Sequence, residues 1–115
     1  MDILAKTIVD YAMKNSDGTY GRIDDEKTPF IKLNKGIIGK NPVLILVTIF
    51  IPEHMSHKGL CTYILNELEI KATENHMHFQ VGPFMTEDSE YIIKILKRKN
   101  FQSIPPFSMI KPFIK

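Results

Sequence analysis

One short stretch, Glu53-His54-Met55-Ser56-His57-Lys58-Gly59-Leu60-Cys61, concentrates the side chains that could do chemistry. His54 and His57 titrate near neutrality and can accept a proton, and Glu53 is a carboxylate alternative. Lys58 adds a positive charge, and Gly59 lets a bound group approach the backbone closely. If a helix starts here, its first N–H groups have no intrahelical partner and the helix dipole adds partial positive charge. A phosphate or pyrophosphate is the natural guest of such a corner. The plainer readings are a helix that caps itself on Ser56 and two exposed loop histidines. For either histidine alone the plainer reading carries more weight, whereas for Gly59 and its amides ligand binding does.

Other groups were weighed against the same standard. Cys61 could be a nucleophile, but no triad-like grouping accompanies it and it sits on the apolar side of its helix, as a small core residue would. His76 and His78 alternate onto one side of a strand start, yet no cysteine or carboxylate at ligand spacing joins them, so no metal site is expected. Gly36-Ile37-Ile38-Gly39-Lys40 lacks the spacing and the Ser or Thr of a phosphate loop, and a strand rather than a helix follows. Lys97-Arg98-Lys99 reads as a solvated helix end.

The elements that must position the stretch are legible from pattern. Residues 43–51 are nine consecutive apolar or β-branched residues, the signature of a buried strand. After the turn, Leu60, Ile64, Leu68 and Ala72 recur every four residues, with Cys61 and Leu65 beside them, so a helix is expected over 58–73 with Ser56 as N-cap. Asn75-His76 stops it, and residues 77–84 form the next strand, with Gly82-Pro83 as a bulge or exit bend. Strand, helix and strand make a βαβ unit whose strands run parallel and connect right-handedly.

An amphipathic helix is expected over 2–14, on the stripe Ile3, Leu4, Thr7, Ile8, Tyr11 and Ala12. Short strands follow at 19–23 and 29–33, and Asn34-Lys35-Gly36 turns the chain. A second helix spans 87–99, capped by Thr86, with Tyr91, Ile92, Ile95 and Leu96 buried. Two edge strands separated by Pro105-Pro106 close the chain. The expected fold class is α/β (α+β): one domain over 1–115, a mixed β-sheet with helices on both faces and the βαβ unit at its centre.

Composition narrows the function classes. The 115 residues are 43% hydrophobic and 24% charged, ordinary for a globular domain, with a net charge of +2. That slight basicity suits an anionic ligand and does not indicate nucleic acid. The longest apolar run falls far short of the roughly 20 residues of a membrane-spanning helix, and the amphipathic N-terminus is no secretory signal. A single cysteine excludes an internal disulfide, and a cytoplasmic location is expected.

The central unit resembles the core of the GNAT superfamily of N-acetyltransferases. The turn pattern of that family is Arg or Gln, two variable residues, Gly, one variable residue, then Gly or Ala. Here it matches Ser56-His57-Lys58-Gly59-Leu60-Cys61, with Gly59 on the first glycine and Cys61 on the small-residue position. Residues 95–101, Ile-Leu-Lys-Arg-Lys-Asn-Phe, are similar to the end of the family's last helix, and Ser-Met-Ile-Lys-Pro-Phe to its closing strand.

The resemblance implies acetyl-CoA as co-substrate, its pyrophosphate on Ser56, His57, Lys58, Gly59, Leu60 and Cys61 and its thioester near Ile51 and Phe84. It implies an amine acceptor, on a small molecule or a protein, deprotonated by His54 or Glu53. The pantetheine arm would lie where the two parallel strands splay apart. Four departures stand out. Ser56 replaces Arg or Gln, Leu96 occupies the position of the family's tyrosine acid, the central strand lacks an acidic residue, and the first strand is missing. They motivate the alternative of a catalytically inactive protein-binding or regulatory module, and the truncated sheet leaves an edge that invites a homodimer.

Overall fold

The computed structural model of the chain describes residues 2–22, 24–55, 59–82, 89–104 and 108–112. The apolar run becomes β3 (Asn41–Phe50), the axis of a six-stranded mixed sheet. In chain order the elements are α1 (Asp2–Lys14), β1 (Thr19–Tyr20), β2 (Phe30–Ile38), β3, a one-turn 3-10 helix (Glu53–Met55), α2 (Leu60–Glu74), β4 (His78–Val81), α3 (Ser89–Arg98), β5 (Gln102–Ile104) and β6 (Ser108–Lys111). The sheet order is β1-β2-β3-β4-β6-β5, and β3 with β4 is the expected parallel pair joined by α2. No helix of the described residues is long and apolar enough to cross a membrane.

The core follows from the helical periodicities. Leu60, Ile64, Leu65, Leu68 and Ala72 of α2 are buried against Leu44 and Leu46 of β3 and Phe79 and Val81 of β4. In α1 the buried stripe is Ala5, Ile8, Val9 and Ala12, rotated from the expected one. Ile3 is 79% exposed, and the exposed Tyr11 packs edge-on against Tyr20 at 5.6 Å. Alanines on the inner face let α1 lie close against α2, where a 3.1 Å ion pair joins Lys71 to Asp10.

Helices are expected on both faces of the sheet, and the described contacts tie the end of α3 to α2. Lys99, just past α3, bonds Asn66 and Glu69 of α2, and Phe101 stacks edge-on against Phe79. Topology explains this. β4 and β5 are parallel, because each is antiparallel to β6. Two right-handed crossovers that advance the same way across a sheet, β3 to β4 and β4 to β5, place their helices on the same side.

Several boundaries differ from expectation. Asn34, Lys35 and Gly36 do not turn the chain; β2 runs through them to Ile38, and the hairpin turns at Gly39-Lys40. The two terminal strands are not both at an edge, because β6 inserts between β4 and β5. The helix after the central strand starts at Leu60 with Gly59 as its N-cap residue, three positions beyond Ser56. His76 is not in a strand with His78. It is left-handed (φ 56°), in a Schellman cap where Met77 N–H bonds Ala72 O and His76 N–H bonds Thr73 O. The same motif ends α3, with Asn100 left-handed, Phe101 N–H on Leu96 O and Asn100 N–H on Lys97 O. The expected cap Thr86 lies outside the described residues.

Candidate functional site

Where β3 hands over to α2, the pairing with β4 ends among the described residues. β3 pairs with β4 from Val43↔His78 to Leu46↔Val81, and Gly82 N–H to Leu46 O (3.1 Å) is the last rung. Residues 47–50 continue as strand, still paired with β2 up to Phe30↔Phe50, and have no β4 partner among the described residues. The register with β2 slips at the same level: Leu33 opposes Leu46, but Lys32 opposes Thr48. Val47 is therefore an extra residue, a β-bulge in β3.

The bulge has two consequences. It resets the alternation, so that Ile49 and Ile51 follow Leu44 and Leu46 onto the core face. It also fixes which backbone groups look into the gap. Leu33 N–H points away from β3, to Gly18 O (2.8 Å). Lys32 and its partner Thr48 therefore face each other, and Ile49 turns its N–H and C=O toward the side that β4 has left. The outer half of β3 thus forms one wall of a slot, with no β4 partner among the described residues.

Beyond the slot, Pro52 is buried and its carbonyl accepts Met55 N–H (2.9 Å), closing the 3-10 turn that carries Glu53 and His54. Both side chains are exposed in that turn. Gly59 is left-handed (φ 81°), and its carbonyl accepts Tyr63 N–H as the first bond of α2. No side chain among the described residues caps this end. The N–H groups of Leu60, Cys61 and Thr62 thus belong to the helix turn that has no intrahelical acceptor. Among the described residues a β-carbon on Gly59 would meet only the Tyr63 ring, at 3.5 Å. Leu60 and Cys61 turn inward, Leu60 fully buried and Cys61 half-buried, and could serve a ligand through their amides alone. Burial pushes the Cys61 thiol up to about 11, which makes it a packing residue and not a nucleophile at neutral pH.

The structure thus brings Ile51, Gly59, Leu60 and Cys61 to the mouth of the slot, with Glu53 and His54 in the connecting turn. Ser56, His57, Lys58 and Phe84 lie outside the described residues. Leu96 is fully buried and part of the core, so the position of the family's tyrosine offers no titratable group. Among the described residues no group of three or more His, Cys, Asp or Glu could hold a metal ion. The bulge at Val47 and the slot-facing Ile49 are absent from the sequence reading. Their trace was the slip in alternation from Leu44 and Leu46 to Ile49 and Ile51.

No protein-family model and no curated protein sequence matches the chain. Its fold is similar to that in a crystal structure described as a probable acetyltransferase, with a TM-score of 0.56 and 16% sequence identity over 99% of this chain and 89% of the other. At that identity the likeness concerns the fold: a mixed sheet with three helices, of the GNAT-like kind.

Proposed function

We infer that this chain is a small N-acetyltransferase of GNAT type, which transfers the acetyl group of acetyl-CoA to an amine of a small molecule or a protein. The observation that carries the reading is the coincidence of three features where β3 leads into α2: the last β3–β4 rung of the described residues at Leu46, the bulge at Val47, and a helix start at Gly59 with no side-chain cap among the described residues. A slot with a donor cluster at its mouth suits a long ligand with an apolar arm and a diphosphate. The diphosphate would rest on the turn from Ser56 to Cys61, with Lys58 adding charge, and the thioester would lie near Ile51 and Phe84. Ile49 N–H would polarise the thioester carbonyl. The amine would attack that carbon, the CoA thiolate would leave, and His54 or Glu53 would take the amine proton. Positioning supplies most of the rate in such a transfer. Calorimetric titration with acetyl-CoA tests the reading; no heat and no thermal shift at millimolar ligand overturns it.

A second reading has one observation in its favour. Leu96 is sealed in the core where an acid for the leaving thiolate would be needed, as in a fold that binds but does not react. Thioester cleavage with a panel of amines, polyamines and peptides separates the two: tight acetyl-CoA binding without turnover selects the regulatory module.

A further inference from the structure

A different part of the molecule, at the end of the sheet away from the β3–α2 turn, is built to take another strand. β1 covers β2 only at Ile31 and Lys32, and at Gly18 the chain turns away toward α1. Residues 34–38 of β2 are left with no neighbour on their outer edge among the described residues. Because Leu33 N–H points outward, alternation aims the N–H and C=O of Lys35 and Ile37 outward as well; Lys35 N–H bonds only the exposed side chain of its neighbour Asn34 (2.9 Å), which an incoming strand can displace, and Ile37 has no partner among the described residues. Ile37 is 75% and Ile38 43% exposed, so apolar surface lies along the same edge.

Beside this edge, in the angle that Gly18 opens, is a cleft of about 400 Å³. Ala12, Leu33 and Leu44 form its apolar floor, while Lys14 and Lys35 stand at its rim. Neither lysine, nor Lys40 at the hairpin tip, has an ion-pair partner among the described residues. The acid of the cleft, Asp17, is already engaged by Thr19 N–H and Oγ.

We propose that the outer edge of β2, with the adjoining cleft, binds an extended acidic segment of a partner protein by strand addition. The incoming strand would continue the line of β1, take the outward backbone groups of Lys35 and Ile37 with Asn34 Oδ1 displaced from Lys35 N–H, place an apolar side chain in the cleft and set carboxylates against Lys14, Lys35 and Lys40. Charge decides against a second copy of this chain as occupant. Residues 33–41 hold two lysines and no acid, so antiparallel self-pairing crowds like charges along the seam. This surface is independent of the acyl-transfer reading.

The test is fluorescence anisotropy of a labelled ten-residue peptide of alternating glutamate and valine, titrated with the full chain. Binding is expected, weakened by salt and absent for the lysine–valine counterpart. Lys35→Glu should weaken it about tenfold, the effect of reversing one exposed charge across a strand pair. Ile37→Pro removes an outward N–H and should abolish binding while leaving the circular dichroism unchanged. Should that variant not fold, peptide-induced hydrogen-exchange protection at the Lys35 and Ile37 amides gives the same answer. No binding at about 1 mM protein, binding indifferent to both substitutions, or a concentration-dependent dimer through this edge each overturns the proposal.

Discussion

Replacing Gly59 by alanine isolates one physical quantity. The residue sits at φ 81°, left-handed, at the N-cap position of α2. Among the described residues a β-carbon there would touch only the Tyr63 ring, at an ordinary 3.5 Å, so no clash with them adds to the conformational cost. That cost is about 1–2 kcal/mol for an L-residue. With an unfolding entropy of about 2.1 cal/mol/K per residue over 115 residues, each kcal/mol corresponds to about 4 °C. Gly59→Ala should therefore lower the melting temperature by about 4–8 °C. Gly59→Asn, which tolerates the left-handed region, should cost less, and Gly59→Val, β-branched, more. Gly18→Ala supplies contrast: its β-carbon would lie 2.2 Å from the Leu33 carbonyl oxygen, and relief must break the Leu33 N–H bond to Gly18. The two terms together come to about 3 kcal/mol. Differential scanning calorimetry of the four variants gives the order directly. If Gly59→Ala melts like the parent, or if asparagine is no better than alanine, the left-handed start of α2 is refuted. The argument for open donors at that corner then goes with it.

The Cys61 thiol, raised from near 9 to about 11 by burial, should react with a disulfide reagent at a rate still climbing beyond pH 10; a plateau near pH 9 contradicts it. The sign for stability follows. The neutral buried thiol favours the folded state fully below pH 9, and that contribution is lost as pH rises from 9 through 11, as the urea midpoint of the parent against Cys61→Ala should show. Glu69 accepts from both Lys99 and Lys111, tying α2 to the end of α3 and to β6. Glu69→Ala should cost about 1–2 kcal/mol in urea denaturation, above a lone surface pair, because the carboxylate is half-buried with two partners. Asn100→Ala should cost about 1 kcal/mol by chemical denaturation and Asn100→Gly nothing, since φ 67° at the α3 cap tolerates glycine and asparagine but not alanine.

What could be read from the chain alone was whatever has a long period. α2 and β3 are visible because four-residue spacing and a continuous apolar run each persist over nine residues or more. The βαβ order then follows. What escaped was decided across strands and not along them. Asn34-Lys35-Gly36 has turn composition, yet its residues are held as strand by pairing with Leu44, Val43 and Ile45. Gly36 serves there by its small size, since a β-carbon would come within 3.3 Å of Val43 Cγ1. The position of β6 between β4 and β5 is equally a matter of long-range pairing, which no local pattern encodes. In α1 the choice of alanines over Ile3 and Tyr11 as inner residues depends on how closely α2 approaches.

The site itself shows the same division. Its glycine and amides could be found by motif, but the slot depends on one residue being inserted at the right level of β3. With Val47 paired as an ordinary strand residue, strict alternation from Leu44 and Leu46 would carry Thr48 and Phe50 into the core and turn Ile49 and Ile51 outward. The insertion keeps four aliphatic residues on one face and, in the same step, shifts which backbone groups face β4. Among the described residues the two parallel strands bond as far as Leu46, and Gly82 is the last to take part. Packing and binding are therefore served by a single residue. Pairing Val47 back into the ladder would turn Ile49 and Ile51 out of the core, so the break in register is held in place by the core beneath it.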